Sequence, residues 1–351
     1  MERKNQYNYI QEGDVKLAVP ENYYVKGPGK IGTGFYNMDQ KLNRDFAVSF
    51  IKTYKPKLAL DAFGGTGIRG IRFKKEANVN TIISETNRES YNLIKKNVRM
   101  NGENIEVYNQ NFNSVMNSYL FDYVDLDPYG SVLPYVDSTL MRIKNGGFIG
   151  ITATDLTALT GSSQKKAFRR YRANIINDKF RHESGIRLLI AEFVKRAAAM
   201  DKGAFPYLSL WHSHYYRVIF KIFSSANMAD EALEHIHTIN KNHDVNSMYT
   251  DITEGPIWTG DINKINFDTL NIIENPDKMF LKYLHRIKNE DYNLYFIELS
   301  DIAEKNKSNS IPVEYAIEKL RENGMVAGRT EFSETGIKVS SKFDEAIKIL
   351  F

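Results

Sequence analysis

The chain has 351 residues, of which 42% are hydrophobic, so it can bury the core of one large domain or two ordinary ones. It contains no cysteine, which excludes disulfides, cysteine-ligated zinc and a thiol nucleophile. The formal net charge of +4 is compatible with a nucleic-acid partner but does not establish one. No apolar run reaches the ~18 residues of a membrane span, and the polar first residues do not resemble a signal peptide, so we expect a cytoplasmic protein with no membrane partner.

The first 40 residues are rich in Gly, Tyr and Asn and include Lys26-Gly27-Pro28-Gly29-Lys30. This composition predicts irregular or short-stranded structure that could form a flap. Apolar residues at helical spacing then predict a helix over 43–54.

Strand and helix patterns alternate through the middle of the chain. We predict strands at 58–61, 81–85, 105–108, 123–127 and 148–153, and helices at 68–76, 88–101 and 132–143. This alternation is typical of an α/β fold whose parallel sheet has helices on both faces. Ligands of such sheets bind beyond the carboxyl ends of the strands.

The later part of the chain is less regular. Residues 161–202 are basic and predict helices, 215–223 predict a late strand of the same sheet, and 229–241 predict a helix. We expect loops over 243–266, helices at 277–289, 298–306 and 312–323, and short strands near 325–340. The helix followed by a hairpin at 312–340 would suit a winged-helix unit. We place a domain boundary near 225, with domains at 1–225 and 226–351.

A glycine-rich turn follows the first strand of the sheet, in Leu60-Asp61-Ala62-Phe63-Gly64-Gly65-Thr66-Gly67. Glycines allow a ligand to approach the backbone, which makes Asp61 and Gly65 candidate cofactor contacts. Glu85 ends the second strand, where an acid binds ribose hydroxyls of dinucleotides and of S-adenosylmethionine alike. The alternative is that Glu85 is an ordinary acid at a strand end.

Asp127-Pro128-Tyr129-Gly130 ends the fourth strand and favours methyl transfer to an amine over dinucleotide chemistry. The lone pair of an exocyclic amine is delocalised into its ring, and a carboxylate that accepts its N–H bonds localises and orients it. Tyr129 offers a stacking face. The alternative is a turn that simply uses Asp and Pro. We expect Asp125 to face the other side of the strand and rank it below Asp127.

Further charged and aromatic residues have two interpretations each. The basic run of Lys165, Lys166, Arg169, Arg170 and Arg172 predicts phosphate contacts or, alternatively, a solvated helix face. We expect His182 and Glu183 to serve structure or RNA contact rather than metal binding. His212 and His214 are expected to pack or hydrogen-bond rather than to act in catalysis.

With these residues identified, the chain resembles the archaeal tRNA (guanine(26)-N2)-dimethyltransferase family over most of its length. The matching stretches are Phe35-Tyr36-Asn37, Asn43-Arg44-Asp45, Thr66-Gly67-Ile68-Arg69-Gly70-Ile71-Arg72, Asp125-Leu126-Asp127-Pro128-Tyr129-Gly130-Ser131, Thr152-Ala153-Thr154-Asp155, Arg169-Arg170-Tyr171, His182-Glu183, His214-Tyr215-Tyr216-Arg217 and Gly255-Pro256-Ile257-Trp258. Several matches in the same order are far more specific than any one of them.

The resemblance implies roles for individual residues. Arg44 and Arg69 would hold the carboxylate end of S-adenosylmethionine, and Glu85 would bind its ribose, where many members have Asp. Asn111 and Phe112 would flank the adenine, where relatives often show Asp-Ala.

On the substrate side, the resemblance makes Asp127 the catalytic acceptor of the guanine amine. Phe35 and Tyr129 would sandwich the guanine ring, and Arg169 and Arg170 would contact tRNA. Some members carry a four-cysteine zinc cluster, which this chain cannot form, so we expect no metal.

The resemblance thus implies a class I (Rossmann-like) S-adenosylmethionine-dependent methyltransferase with a smaller C-terminal α/β domain, which dimethylates guanosine 26 of tRNA. A first alternative is methylation of adenine N6 or of a glutamine side chain. The usual signature there is Pro-Pro-aromatic, and Pro128-Tyr129-Gly130 departs from it. A second alternative is an RNA-binding module whose methyltransferase fold is inactive.

Overall fold

The computed structural model describes residues 7–23, 27, 32–241 and 253–351. Most of the Lys26–Lys30 stretch and the first part of the predicted loop over 243–266 lie outside these ranges. None of the helices within them is long and apolar enough to cross a membrane.

The N-terminal segment forms a hairpin in front of the first long helix. Strands β1 (Tyr7–Glu12) and β2 (Val15–Pro20) pair antiparallel, which agrees with the prediction of short strands. A short 3-10 turn (Met38–Gln40) leads into α1 (Lys41–Tyr54). The apolar side chains of β2 pack on those of α2 (Ile68–Ala77) and α3 (Arg88–Met100) through Val15, Leu17 and Val19, so the hairpin is fixed to the central sheet.

A seven-stranded sheet forms the centre of the molecule, in the order β5-β4-β3-β6-β7-β9-β8. Its strands are β3 (Leu58–Asp61), β4 (Asn80–Ser84), β5 (Glu106–Tyr108), β6 (Phe121–Leu126), β7 (Ile143–Ala153), β8 (Gly203–His212) and β9 (Tyr215–Phe223). The first five run parallel, and β9 is antiparallel to both of its neighbours. The chain adds β4 and β5 on one side of β3 and then returns to add β6 on the other side, and this change in strand order places a crevice at the carboxyl ends of β3 and β6.

Helices cover both faces of this sheet, as the alternating pattern predicts. They are α2 (Ile68–Ala77), α3 (Arg88–Met100), α4 (Phe112–Ser118), α5 (Leu133–Arg142), α6 (Leu156–Leu159), α7 (Gln164–Tyr171) and α8 (Arg181–Ala198). Successive strand residues enter opposite cores: Leu60 and Val124 join the cluster under α5 and α8, whereas Ala59 and Tyr123 join the cluster under α1. The predicted α/β fold class is therefore confirmed.

Two strands differ from the sequence prediction. Residues 203–212 form β8, although the sequence analysis predicted no strand between the helical region that ends at 202 and the strand that begins at 215. The helix predicted over 229–241 is wrong in its second half, since α9 (Ala226–Leu233) ends early and β10 (Ile236–Asn240) pairs antiparallel with β11 (Thr253–Trp258). The β-branched residues of Ile236-His237-Thr238-Ile239 favour a strand once β11, which is distant in sequence, supplies the partner.

The C-terminal part contains α10 (Lys278–Ile287), β12 (Ile297–Glu298), α11 (Leu299–Lys305), α12 (Val313–Glu322), β13 (Ala327–Arg329), β14 (Gly336–Val339) and α13 (Phe343–Leu350). The three predicted helices and the helix-then-hairpin order are confirmed, and the strands form a small antiparallel sheet, β12-β14-β13. Residues from Ile297 onward have an apolar cluster of their own, whereas Ile239 and Trp258 pack in the core of the large sheet. The domain boundary near 225 stays a prediction.

Candidate active site

A cleft of about 590 Å³ opens at the carboxyl ends of β3 and β6. Its walls come from the glycine-rich turn, the end of β6 and the segment before α1. The lining includes seven of the residues singled out from the sequence: Phe35, Arg44, Asp61, Gly65, Arg69, Asp127 and Tyr129. Residues that are far apart in the chain therefore meet where the strand pattern predicts a ligand site.

The glycine turn brings bare backbone to the cleft. Gly65 has a φ of +56°, and a Cβ there would lie 2.8 Å from the carbonyl oxygen of Phe35, so the turn requires glycine at this position. The Gly65 N–H donates to Glu85 Oε2 (2.9 Å), and the Asn87 N–H donates to Glu85 Oε1 (2.8 Å). Glu85 thus holds the turn, in addition to the ribose role that the resemblance implies.

Arg69 joins two carboxylates at the end of β6. Its Nη2 donates to Asp127 Oδ2, its Nε lies 3.3 Å from Asp125 Oδ1, and its Nη1 donates to Asn43 Oδ1 (3.2 Å). The expectation that Asp125 faces away from Asp127 is wrong, because residues two apart on a strand share a face. Since Arg69 is only 4% exposed, both contacts are held in a site from which water is largely excluded.

A second arginine, Arg217, binds the buried carboxylate of Asp125. Arg217 Nη2 and Nη1 donate to Asp125 (2.5 and 3.0 Å), and the Tyr123 hydroxyl donates to the same group (2.7 Å). Burial alone would raise the pKa of Asp125, but Arg217 and Arg69 hold it below its ordinary value. Sequence reasoning gave Arg217 no role, although an arginine inside an otherwise apolar strand signals a buried acidic partner.

Asp61 has the opposite electrostatic environment. Burial raises its pKa to about 7, against the influence of Arg69, and the negative charge of Asp125 adds to the rise. Asp61 Oδ2 accepts a hydrogen bond from the Gly70 N–H (3.0 Å) at the start of α2. The carboxyl group of Asp61 therefore titrates near neutral pH, whereas the pKa of Asp125 lies below its ordinary value.

Arg44 lines the cleft, but its guanidinium group already has a partner. It binds Glu12 through Nε–Oε1 (2.7 Å) and Nη2–Oε2 (2.6 Å), and Nη2 also donates to the Asn37 carbonyl (3.0 Å). Arg44 and the nearby Arg72 lower the pKa of Glu12 to about 2 despite its burial, which alone would raise it. Glu12 was missed from the sequence, because nothing in the hairpin distinguishes it from a surface acid.

The remaining predicted contacts lie around the cleft. The rings of Phe35 and Tyr129 meet edge to face with centroids 4.8 Å apart, so a flat base enters between them only if they separate. Asn111 caps α4 through the Asn113 N–H (2.9 Å), and Phe112 is buried against Phe63, which lines the cleft.

The two predicted RNA-binding arginines lie on α7. Arg169 is exposed, whereas Arg170 Nη1 donates to Asp155 Oδ2 (2.5 Å) just after β7. The turn between β8 and β9 carries His212 and His214, which lie 3.5 and 3.1 Å from the carboxylate of Asp39, as the expectation of hydrogen bonding indicates. Burial lowers the pKa of both imidazoles, against the pull of Asp39.

Within the described residues no group of three or more His, Asp or Glu side chains is placed to hold a metal ion.

The doubly covered sheet, the glycine turn and an acid at the end of β6 define a class I methyltransferase. A family model described as "N2,N2-dimethylguanosine tRNA methyltransferase" matches residues 13–351. The chain belongs to this family.

Individual relatives match over nearly their whole length. Proteins named tRNA (guanine(26)-N(2))-dimethyltransferase are 41% identical in Thermoplasma volcanium (97% of this chain, 98% of the relative) and 43% identical in Thermoplasma acidophilum (95% of each). The solved structure of Trm1 from Pyrococcus horikoshii with S-adenosyl-L-methionine superimposes with a TM-score of 0.81 at 28% identity and covers 97% of this chain and 99% of that one.

Proposed function

We propose that the protein methylates the exocyclic N2 of guanosine 26 in tRNA twice, giving N2,N2-dimethylguanosine. The observation that carries this proposal is the position of Asp127, which faces a cleft bounded by the glycine turn and two aromatic rings. Membership of the family over residues 13–351 supports the same substrate. A cytoplasmic location fits a tRNA substrate.

S-adenosyl-L-methionine is the cofactor that fits the glycine side of the cleft. The close backbone at Gly65, the carboxyl group of Asp61 and the nearby Glu85 provide the kinds of contact that a nucleoside needs. Asn111 and Phe112 would flank its base, and Arg44 and Arg69 its carboxylate. Arg69 would then be shared between that carboxylate and Asp127. When bound, the cofactor supplies an electrophilic methyl group on a sulfonium.

Asp127 orients the nucleophile. Its carboxylate accepts hydrogen bonds from the N–H groups of the guanine amine. This contact localises the lone pair of N2, and the carboxylate later takes the proton that N2 loses. Arg69 binds Asp127 Oδ2 and so helps to fix the orientation of this carboxylate. Phe35 and Tyr129 would offer faces to the purine, and Arg169 and Arg170 would contact the RNA backbone.

Two rounds of methylation follow from the hydrogen bonds that the amine retains. The unmodified amine has two N–H groups and the mono-methylated amine has one, so Asp127 can accept a hydrogen bond from either form of the base. The dimethylated nitrogen has none, and a carboxylate left without that partner binds the product less well. The chemistry therefore stops at two methyl groups and favours product release.

Nucleoside mass analysis tests the proposal. The protein is incubated with an unmodified tRNA transcript and S-adenosyl-L-methionine, and we expect N2-methylguanosine followed by N2,N2-dimethylguanosine, both lost when guanosine 26 is replaced by adenosine. Methyl on an adenine would keep the fold and overturn the substrate. Cofactor binding without any methylation would also contradict the proposed substrate, and absence of cofactor binding would favour the inactive RNA-binding module.

Asp127→Asn tests the catalytic assignment. We expect the methylation rate to fall by about 10² or more, because a neutral amide neither orients the amine equally nor takes its proton. The affinity of Asp127→Asn for S-adenosyl-L-methionine, measured by calorimetry, should remain within a few-fold of the wild-type value. Asp122→Asn, at the other end of β6, is the matched control and should retain activity. Full methylation by Asp127→Asn would remove Asp127 from the catalytic role.

A further inference from the structure

The outer face of α7 combines cations with an exposed aromatic ring. The helix buries Ala167 and Tyr171, and its opposite side carries Lys165, Phe168 and Arg169, with Arg172 at its end. Phe168, Arg169 and Arg172 follow Lys165 by three, four and seven positions, so these four residues share one face. Phe168 is 60% exposed, and the Arg172 guanidinium lies 5.5 Å from the centre of its ring.

Helix α7 is attached to the chain just after β7 through two of its side chains. The hydroxyl of Tyr171 donates to Asp155 Oδ2 (3.2 Å), the oxygen that also binds Arg170. Asp155 directly follows Thr154, a lining residue of the cleft, whose hydroxyl oxygen accepts from the Gly130 N–H (2.9 Å). Helix α7 is therefore attached to the residue next to Thr154, which bonds Gly130 at the end of the loop that carries Asp127 and Tyr129.

A solvated helix face explains the lysines and arginines of α7 but not Phe168. Leaving a phenyl ring largely in water forgoes part of the stabilisation that burial of an apolar side chain brings. No acidic residue occurs between 164 and 172, so every charged neighbour of Phe168 on this helix is a cation. An aromatic ring among cations is the combination that binds unstacked nucleotides, because the base stacks on the ring and the cations attract phosphates.

We propose that the outer face of α7 binds a nucleotide adjacent to the guanosine that enters the cleft. This inference rests on the proposed function and names the surface that recognises the RNA around the target. A base that leaves its stack to reach an active site exposes the face of its neighbour. Phe168 stacks on that exposed face, while Lys165, Arg169 and Arg172 contact the flanking phosphates.

Substitution of Phe168 tests the stacking contact directly. We expect Phe168→Ala to weaken binding of an unmodified tRNA transcript about tenfold, the scale of one base–aromatic stack, and Phe168→Trp to restore it. Melting temperature and S-adenosyl-L-methionine affinity should be unchanged in both variants. Tyr315→Ala is the control, because this tyrosine is 54% exposed on the distant helix α12.

A fluorescent base locates the contact. With 2-aminopurine at position 25 or 27 of the transcript, wild-type protein should quench one of the two probes, and Phe168→Ala should lose that quenching. Arg169→Gln should reduce the slope of log affinity against log salt by about one, whereas Lys348→Gln on α13 should leave it unchanged.

The outcomes separate this inference from the proposed function. If wild type methylates guanosine 26 while Phe168→Ala binds and quenches as wild type does, the surface is overturned and the proposed function stands. If Phe168→Trp behaves like Phe168→Ala, stacking is likewise overturned. If wild type neither binds nor methylates the transcript, both the proposed function and this surface are overturned.

Discussion

At the residue scale, two buried carboxyl groups near Arg69, Asp125 and Asp61, have pKa values shifted in opposite directions. Arg69 contacts Asp125 and Asp127, and Arg217 adds a second cation for Asp125. Asp61 is buried beside the same group of charges, and its pKa rises to about 7 because burial outweighs the influence of Arg69. The site thus lowers the pKa of Asp125 and raises that of Asp61, the carboxyl group beside the glycine turn.

The raised pKa of Asp61 predicts a pH-dependent stability difference. An unfolded aspartate loses its proton near pH 4, whereas folded Asp61 keeps it until about pH 7. Its contribution to stability is therefore fully present below about pH 4 and is lost as the pH rises through 7. Asn cannot lose a proton, so the variant Asp61→Asn does not lose this contribution. Its free energy of unfolding relative to wild type should therefore increase by a few kcal/mol as the pH rises from 4.5 to 8, since one pKa unit corresponds to about 1.4 kcal/mol.

Urea unfolding at several pH values measures this difference. Asp14→Asn, at an exposed position in the hairpin turn, is the control and should differ from wild type equally at every pH. A flat difference for Asp61→Asn as well would mean that Asp61 titrates as an ordinary aspartate.

At the element scale, the turn between β3 and α2 depends on glycine for two separate reasons. Gly65 combines a positive φ with close approach to the Phe35 carbonyl. Gly102, after α3, has a φ of +68°, and apart from its two chain neighbours none of the described residues places an atom within 4 Å of where its Cβ would lie. The two glycines share the conformational requirement but differ in crowding. Comparison of the two alanine variants therefore isolates the contribution of close packing.

We expect Gly65→Ala to lower the free energy of unfolding by more than Gly102→Ala, whose cost is about 1 kcal/mol from positive φ alone. The added Cβ also pushes the turn away from Phe35, so S-adenosyl-L-methionine affinity should fall in Gly65→Ala and stay constant in Gly102→Ala. Thermal unfolding and calorimetry measure the two effects. Equal losses in both variants would show that crowding at Phe35 contributes nothing.

At the scale of the whole molecule, a buried ionic cluster joins the C-terminal strand β14 to helix α8. Lys338 Nζ lies 2.7 Å from Glu183 Oε1 and 3.5 Å from Glu290 Oε2, and it donates to the Asn293 carbonyl (2.8 Å). All three charged side chains are fully buried. Burial raises the pKa of Glu290 to about 7 although Lys338 opposes the rise, so this one cation supports more than one carboxyl group.

Lys338→Met should destabilise the protein by about 3–5 kcal/mol, because it removes the cation beside buried Glu290 and leaves Glu183 with Arg187 alone. The C-terminal segment should also become more sensitive to limited proteolysis, since this cluster connects it to α8. Lys348→Met, at an exposed position of α13, should change the free energy of unfolding by less than about 0.5 kcal/mol. Similar stability of the two variants would show that the cluster does not hold the C-terminal segment in place.

The sequence predicted the elements whose signals are local. Alternating strands and helices from 58 to 153, the glycine turn and the acid at the end of β6 are all visible in short windows, because side-chain periodicity and turn chemistry act over a few residues. Strand β10 was mistaken for helix because its partner β11 is distant in sequence, and local pattern does not show which strands will pair.

The sequence by itself determined the fold class and the family, because motifs in a fixed order carry that information, and it made Asp127 the candidate acceptor. Only the tertiary structure decided the partners of the charged groups: Glu12 with Arg44, Arg217 with Asp125, and Arg69 with both Asp125 and Asp127. These pairs join residues 32 to 92 positions apart, and their strength depends on burial, which is a property of the packed molecule.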